Sequence, residues 1–371
     1  MERGEILKHI ILTGGGTAGH VTPNLALLPG LRDRGYRITY IGSYEGIERD
    51  LVTREGIEYI GISSGKLRRQ LAMKNITDGF RVFRGLHQAK RIIRELQPDI
   101  VFSKGGFVTV PVIFAAKKYK VPIVIHESDL TPGLANKLSI PKADRICCNF
   151  EETLRYLPEE RAMLTGLPIR ETLLQGDAAE GRVLTGLQGK KPVLLIMGGS
   201  QGALNINKVI HRHLDVLSAS FDIIHLCGRG KLRTDLTGMD GYVQYEYVNE
   251  ELPHLLAVAD VVISRAGANA IGELLALKKP HILIPLTKAA SRGDQILNAA
   301  AFERAGFAYV LPEEQLTINS LQEALTHVTT HAGEYVEKMV AAGAGRAVDI
   351  LLDLFDDLIV ERTKGNAVPE A

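Results

Sequence analysis

One layout occurs twice in this chain. KHIILTGGGTAGHVTPNLALL (residues 8–28) runs from an apolar strand through a glycine turn into a helix, and KKPVLLIMGGSQGALNINKVI (residues 190–210) repeats it about one domain length later. Glycines after a strand let backbone N–H groups approach a ligand, and the helix that follows adds partial positive charge at the same point. Two copies in 371 residues imply two domains rather than one. Short β-branched runs alternate with amphipathic segments around both copies. Strands are expected at 8–13, 38–41, 59–62, 100–103, 123–126 and 145–148, with a helix over 20–34 closed by Gly35. In the second half strands are expected in the apolar run before Gly198 and at 222–226, 261–264 and 281–284. That alternation predicts an α/β class: two Rossmann-like, doubly wound domains of parallel strands with helices on both faces. The GLPIR segment at 166–170 marks the joint, giving domains over 1–166 and 167–345, with 346–363 expected to pack back on the first. Open sheets of this kind bind ligands at the carboxyl ends of their strands. Every glycine turn falls there, so the motifs are expected to share one cleft.

Composition narrows the function classes. A net charge of +1 gives no global signal for nucleic acid. Three cysteines, two of them adjacent (Cys147, Cys148), make no disulfide framework and fit a reducing compartment. No stretch approaches the roughly 18 apolar residues of a membrane span, so contact with a membrane would be peripheral. Residues 66–94 carry nine Lys/Arg and one acid, Asp78, with Leu71, Met73, Ile76, Phe80 and Phe83 interleaved at helical spacing. Such a stretch suits anionic lipid headgroups, and equally a solvated helix with an apolar core face.

The loops carry the chemistry. Gly14–Gly19 and the following His20 form one anion-competent turn; it also fits GxGxxG, but no acid closes the tip of the next strand (Tyr40–Ser43), Glu45 lying past it. Ser103-Lys104-Gly105-Gly106-Phe107 is a second turn and Gly198-Gly199-Ser200-Gln201-Gly202 a third. Three together point to more than one phosphate-bearing ligand. Ser264–Glu273 runs from a strand into a helix that carries Glu273, a candidate for ribose hydroxyls and equally a solvated helix charge. Asp294, Gln295 and Asn298 open another helix, and amide and carboxylate groups at that spacing suit sugar hydroxyls or an ordinary cap. His126-Glu127-Ser128-Asp129 ends a strand, where Asp129 is either a site or a turn residue. His211 and His213 point to different faces of one helix, so no metal is expected from that pair. No paired-aspartate motif or zinc-spaced Cys/His cluster is present, and neither a metal nor a cofactor is expected.

In this order the motifs resemble the MurG family of glycosyltransferases: the GGGTxGH loop, GGF near one hundred, HE before a PG turn, G-x-P-x-R, GGSQGA, SRAGA…E and DQ-x-x-NA, over residues 8–340. The resemblance implies a two-domain glycosyltransferase-B fold and an inverting, metal-independent transfer. N-acetylglucosamine would pass from UDP-N-acetylglucosamine to the muramoyl C4 hydroxyl of lipid I, giving lipid II at the cytoplasmic face of the cell membrane. It implies donor contacts at Thr17, Gly19, Asp129, Arg170, Ser200, Gln201, Gly202, Ala268, Glu273, Gln295 and Asn298. Gly15, Gly16, Gly105 and Gly106 would cradle the acceptor diphosphate. His20 would be the base, with Glu127 as its orienter. Asp129, Leu167, Phe107, Val110 and Asp294 depart from the residues common in that family. Two other enzyme readings share the loops: a glycolipid-forming glycosyltransferase and a UDP-N-acetylglucosamine 2-epimerase. A non-catalytic nucleotide-sugar sensor is the third alternative. Donor preference and product analysis without acceptor separate them.

Overall fold

The computed structural model describes residues 8–65, 74–187, 189, 191–199, 202–291 and 293–366. The chain divides into two compact α/β units. The first holds the residues up to Arg170 together with the C-terminal segment from Gly345; the second is Glu171–Ala344.

Seven parallel strands build the first unit: β1 (His9–Thr13), β2 (Arg37–Ser43), β3 (Glu58–Ile62), β4 (Ile100–Ser103), β5 (Ile123–Glu127), β6 (Arg145–Cys148) and β7 (Ala162–Leu164). Their order is β3-β2-β1-β4-β5-β6-β7, so the winding reverses between β1 and β4. Alternation along β1 explains the two cores. Ile10 and Leu12 point to one face, with Leu27, Leu31 and Phe102, while Ile11 points to the other, with Val101, Val112 and Ile123. The helix expected over 20–34 is broken into a 3-10 turn, Ala18–His20, and two short helices, Thr22–Leu25 and Leu28–Asp33. Pro23 and Pro29 account for the breaks, since a proline lacks the N–H that would continue the ladder and stands only in a helix's first turn.

The second unit has six parallel strands: β8 (Val193–Met197), β9 (Asp222–Leu226), β10 (Tyr242–Tyr245), β11 (Val261–Ser264), β12 (His281–Leu283) and β13 (Tyr309–Val310). The order β10-β9-β8-β11-β12-β13 places its reversal between β8 and β11. Leu194, Ile196, Ile223 and Ile263 form its main core with Ile206, Ile210, Leu321 and Leu325 from the flanking helices.

The C-terminal helix Ala347–Asn366 belongs to the first unit's core. Leu351, Phe355 and Leu358 pack among Ile10, Leu12 and Phe102, and Gly30 leaves room for Leu352. Asp356 anchors its polar side, accepting from Lys8 Nζ at 2.6 Å, Arg34 at 2.8 Å and the Tyr36 hydroxyl at 2.5 Å. Burial pushes the Asp356 carboxyl upward, but these three bonds outweigh burial and hold it below the usual carboxylate range. Asp356→Ala should therefore cost about 1.5–3 kcal/mol at pH 7, the scale of hydrogen bonds to a charged group. A depressed folded pKa means the stabilisation is present above the unfolded value and is lost as the carboxylate protonates. Urea unfolding at pH 7 and pH 3 should show a gap between wild type and variant that closes on acidification.

Candidate active site

In the first unit the two glycine turns meet where the sheet reverses. The Gly15 amide donates to the Gly105 carbonyl at 3.3 Å. Gly106, at φ +91°, faces the Gly15 carbonyl so closely that a Cβ there would collide with it. Ligands bind at such a reversal because the helices diverge there. His20 closes the turn. Its Nδ1 lies 2.9 Å from the Gly15 carbonyl oxygen and 3.3 Å from Thr17 Oγ1. A carbonyl only accepts, so Nδ1 carries the proton and Nε2 keeps its lone pair. Burial lowers the His20 pKa, Gly15's bond opposes this, and the charge of Lys104 lowers it further. The imidazole is neutral near pH 7, the form a base needs.

Glu48 is the acid that the tip of β2 lacks in sequence. The helix Ile47–Arg54 brings it back fully buried, accepting from the Ser43 amide and hydroxyl at 3.0 and 2.5 Å and from the Gly16 amide at 3.2 Å. Of the four glycines that the resemblance assigned to the acceptor diphosphate, Gly15, Gly16 and Gly105 thus have their amides bonded inside the unit, the last to Ser103 Oγ at 3.2 Å.

Glu127 takes a different post from the expected one. The Gly15 carbonyl orients His20, whereas Glu127 accepts from the Asp129 amide at 3.0 Å, the Gly133 amide at 3.0 Å and Asn136 Nδ2 at 2.8 Å. It shapes the loop that carries half-buried Asp129. Burial pushes its carboxyl up, against the pull of those donors. Lys104, one residue before Gly105, is buried at 2% exposure, with Nζ 2.7 Å from His126 Nδ1 and 2.7 Å from Ser128 Oγ. His126 in turn donates from Nε2 to the Gly166 carbonyl at 2.8 Å, which leaves Nδ1 to accept from the lysine. Burial draws the Lys104 pKa down to about 7, with Glu127, Asp129 and Cys147 opposing.

In the second unit the turn after β8 opens the helix Leu204–Arg212, which has no acid in its first turn. Gly199 and Gly202 have φ of +81° and +67°, and the Gly202 amide donates to the Gly199 carbonyl at 2.8 Å. Ser200 and Gln201 lie outside the described residues. Across the reversal, the loop after β11 leads to the helix Ala268–Ala276, which carries Ala268 at its start and half-buried Glu273. Arg265 pins this loop, paired with Glu313 at 2.9 Å and donating to the Ile284 carbonyl at 3.0 Å. The helix Asp294–Ala305 braces it from the other side. Asn298, wholly buried, donates from Nδ2 to the Ala266 carbonyl at 3.3 Å, and Gln295 accepts from the Leu286 amide at 3.1 Å. Arg170, half-buried, ends the first unit's main segment.

The model of the glycosyltransferase family 28 N-terminal domain matches residues 10–148, and that of the family 28 C-terminal domain matches 193–352. The chain belongs to glycosyltransferase family 28. A protein of Lachnoclostridium phytofermentans is 56% identical over 352 residues, 95% of this chain and 99% of its own length. One of Clostridium botulinum is 54% identical over 348 residues, 94% of this chain and 98% of its own. Both bear the name UDP-N-acetylglucosamine–N-acetylmuramyl-(pentapeptide) pyrophosphoryl-undecaprenol N-acetylglucosamine transferase. The crystal structure of Acinetobacter baumannii MurG superposes with a TM-score of 0.75 at 24% identity, covering 94% of this chain and 99% of that one. A UDP-GlcNAc 2-epimerase from Neisseria meningitidis, bound to UDP-GlcNAc, superposes at 0.63 with 15% identity, covering 94% and 100%. Such distant likenesses establish the glycosyltransferase-B fold of this family 28 chain and leave its chemistry to the residues.

Sequence reading missed Glu48, Lys104 and Arg265 in these roles, although Lys104 lies in the second glycine turn and Arg265 in the SRAGA segment. A lysine flanked by apolar and glycine residues at a strand end is its one local signal. Lys104→Met should raise the His20 pKa, read as the titration of the His20 ring protons by NMR. It should also change the pH slope of stability. The folded lysine is neutral above about pH 7 while the unfolded one holds its proton to about pH 10.4. Wild type should gain on the variant by up to about 1.4 kcal/mol per pH unit between pH 7 and 10, in urea unfolding.

Proposed function

We propose that this chain transfers N-acetylglucosamine from UDP-N-acetylglucosamine to the muramoyl C4 hydroxyl of lipid I, forming lipid II for peptidoglycan and so serving cell shape and division. The observation that carries the reading is the name shared by relatives more than half identical over nearly the whole chain. In this reading the first unit receives the acceptor and the second holds the donor. Inversion is a single displacement: the acceptor oxygen bonds to the anomeric carbon, its proton goes to Nε2 of His20, and UDP leaves with the bonding pair from the opposite face. The Gly15 carbonyl holds the imidazole in the tautomer that makes Nε2 the acceptor and stabilises the imidazolium that results. Glu273 is assigned to the ribose hydroxyls. The diphosphate is assigned to the turn that includes Ser200, Gln201 and Gly202. Ala268, Gln295 and Asn298 act around the sugar, with Asn298 working through the Ala266 carbonyl that it holds. Asp129, Arg170, Thr17 and Gly19 complete the donor side, and Gly105 and Gly106 the acceptor side.

The test is transfer of label from UDP-N-acetylglucosamine to a short-chain lipid I analogue. Release of N-acetylmannosamine without acceptor would replace the reading with that of an epimerase. His20→Ala should lower kcat by about 10²–10⁴-fold, the usual contribution of base catalysis, with donor KM nearly unchanged and the acidic limb of the pH profile flattened. Loss of acceptor affinity alone would make His20 a binding residue.

Peripheral attachment to the cytoplasmic face is part of this proposal. The helix Lys74–Leu96 buries Ala89 and Ile93 while Arg81, Arg84, Arg91 and Arg94 are exposed and Phe83 is 73% exposed. Residues 66–73, with Lys66, Arg68 and Arg69, lie outside the described residues. Among the described residues no helix is long and apolar enough to cross a membrane. An apolar ring within a basic face suits an anionic interface, each basic residue near it contributing about 1 kcal/mol. Reversing Arg81 and Arg84 to Glu should release the chain from anionic vesicles in a sedimentation assay. Undiminished binding would mark the helix as merely solvated.

A further inference from the structure

Beneath the glycine turn of the second unit, the fold gathers three residues of metal-ligand type that no short spacing announces. His211 stands on the last turn of the helix Leu204–Arg212, His225 in β9, and Cys227 just after it. One ligand atom from each lies within 4.8 Å of the others, and His211 Nε2 is 4.0 Å from Cys227 Sγ. His225 and Cys227 are buried and His211 half-buried, so one ligand reaches toward solvent. His213, which shares the helix end, is outside the cluster.

The hydrogen bonds around His225 settle which nitrogen is available. Asn207 donates from Nδ2 to the Cys227 carbonyl at 2.8 Å and therefore turns Oδ1 toward His225 Nε2, at 3.1 Å. That nitrogen carries the proton, and Nδ1 keeps the lone pair. The Tyr242 hydroxyl lies 3.1 Å from Nδ1, and the Cys227 thiol, two residues along, donates to the His225 carbonyl at 3.6 Å and to Gln244 Oε1 at 3.8 Å. An imidazole whose remote N–H is tied to an oxygen is the usual setting of a metal-bound histidine.

The geometry points to a binding site for a divalent cation of the zinc class, held by Nε2 of His211, Nδ1 of His225 and Sγ of Cys227, apart from the transfer chemistry. Two imidazoles and a sulfur select zinc-like ions over magnesium or calcium. Bonds of about 2.0–2.1 Å to nitrogen and about 2.3 Å to sulfur place tetrahedral ligand atoms about 3.3–3.6 Å apart, so the three atoms would close together by up to about 1.5 Å, with half-buried His211 the side chain free to turn. The Tyr242 hydroxyl yields its place on Nδ1. The thiol proton goes to solvent as the sulfur–metal bond forms, with no change of oxidation state. Gly202 rests against the Cys227 carbonyl with no room for a Cβ, so the ion would stiffen the floor of that glycine turn.

Cobalt(II) titrated into the reduced full-length chain tests this. The expected result is a thiolate-to-cobalt charge-transfer band with tetrahedral d–d absorption, both reversed by zinc. Cys227→Ser should abolish the charge-transfer band. His211→Ala should weaken cobalt binding at least 100-fold, beyond the roughly 10–100-fold that loss of an outer-shell partner costs. Circular dichroism establishes that each variant is folded. A wild-type chain without the band overturns the site, as does a band that survives Cys227→Ser, or cobalt affinity unchanged in His211→Ala.

Discussion

The close approach of two backbones at the reversal between β1 and β4 fixes the geometry of the first unit's candidate site. Gly106 has no Cβ, so the second glycine turn can lie against the Gly15 carbonyl, and the Gly15 amide reaches the Gly105 carbonyl. That carbonyl is thereby fixed, and it sets the His20 tautomer. A side chain at Gly106 would move the Gly15 carbonyl and with it the proton on Nδ1. The His20 tautomer therefore rests on a residue that bears no functional group.

Behind this junction the electrostatics are arranged in depth. Lys104 is buried between His126 and Ser128, and burial of its charge brings its pKa near 7. Its remaining charge adds to burial in keeping His20 neutral. Glu127, one residue past His126, is spent on the Asp129–Gly133 loop through three donors. An orienting carboxylate on His20 would raise the imidazole pKa, whereas a carbonyl fixes the ring with a weaker upward pull. The unit thus separates two tasks that a carboxylate–histidine pair would combine.

The alternation of apolar runs made β1, β4, β6, β8, β9 and β11 legible, because a strand buried on both faces reads as continuous Val/Ile/Leu. The strands β7, β10 and β13 were not: they are short, partly exposed and carry residues such as Gln244 and Tyr309 that no period reveals. The glycine turns and His20 were visible because turn chemistry is local. Glu48 reaches Gly16 across 32 positions, and Arg265 reaches Glu313 across 48. Such partners exist only after folding, and the cluster of His211, His225 and Cys227 is invisible in sequence for the same reason.

The repeated layout also ends in two different electrostatic states. In the first unit a buried carboxylate, Glu48, lies 3.2 Å from the Gly16 amide at the mouth of the turn. Two negative charges a few ångströms apart in a partly desolvated site repel by several kcal/mol at an effective dielectric near 20. A nucleotide diphosphate would have to expel Glu48 or tolerate it. The turn after β8 leads into a nine-residue helix with no acid in its first turn, and the carboxylate bonded to that turn from outside, Glu313 on Asn205 Nδ2 at 2.9 Å, is paired with Arg265 at 2.9 Å. The same strand, glycine and helix therefore favour a diphosphate in the second unit and disfavour one directly on Gly16 in the first. This asymmetry, and not the shared motif, is the physical argument behind the proposal of a donor in the second unit and a neutral base in the first.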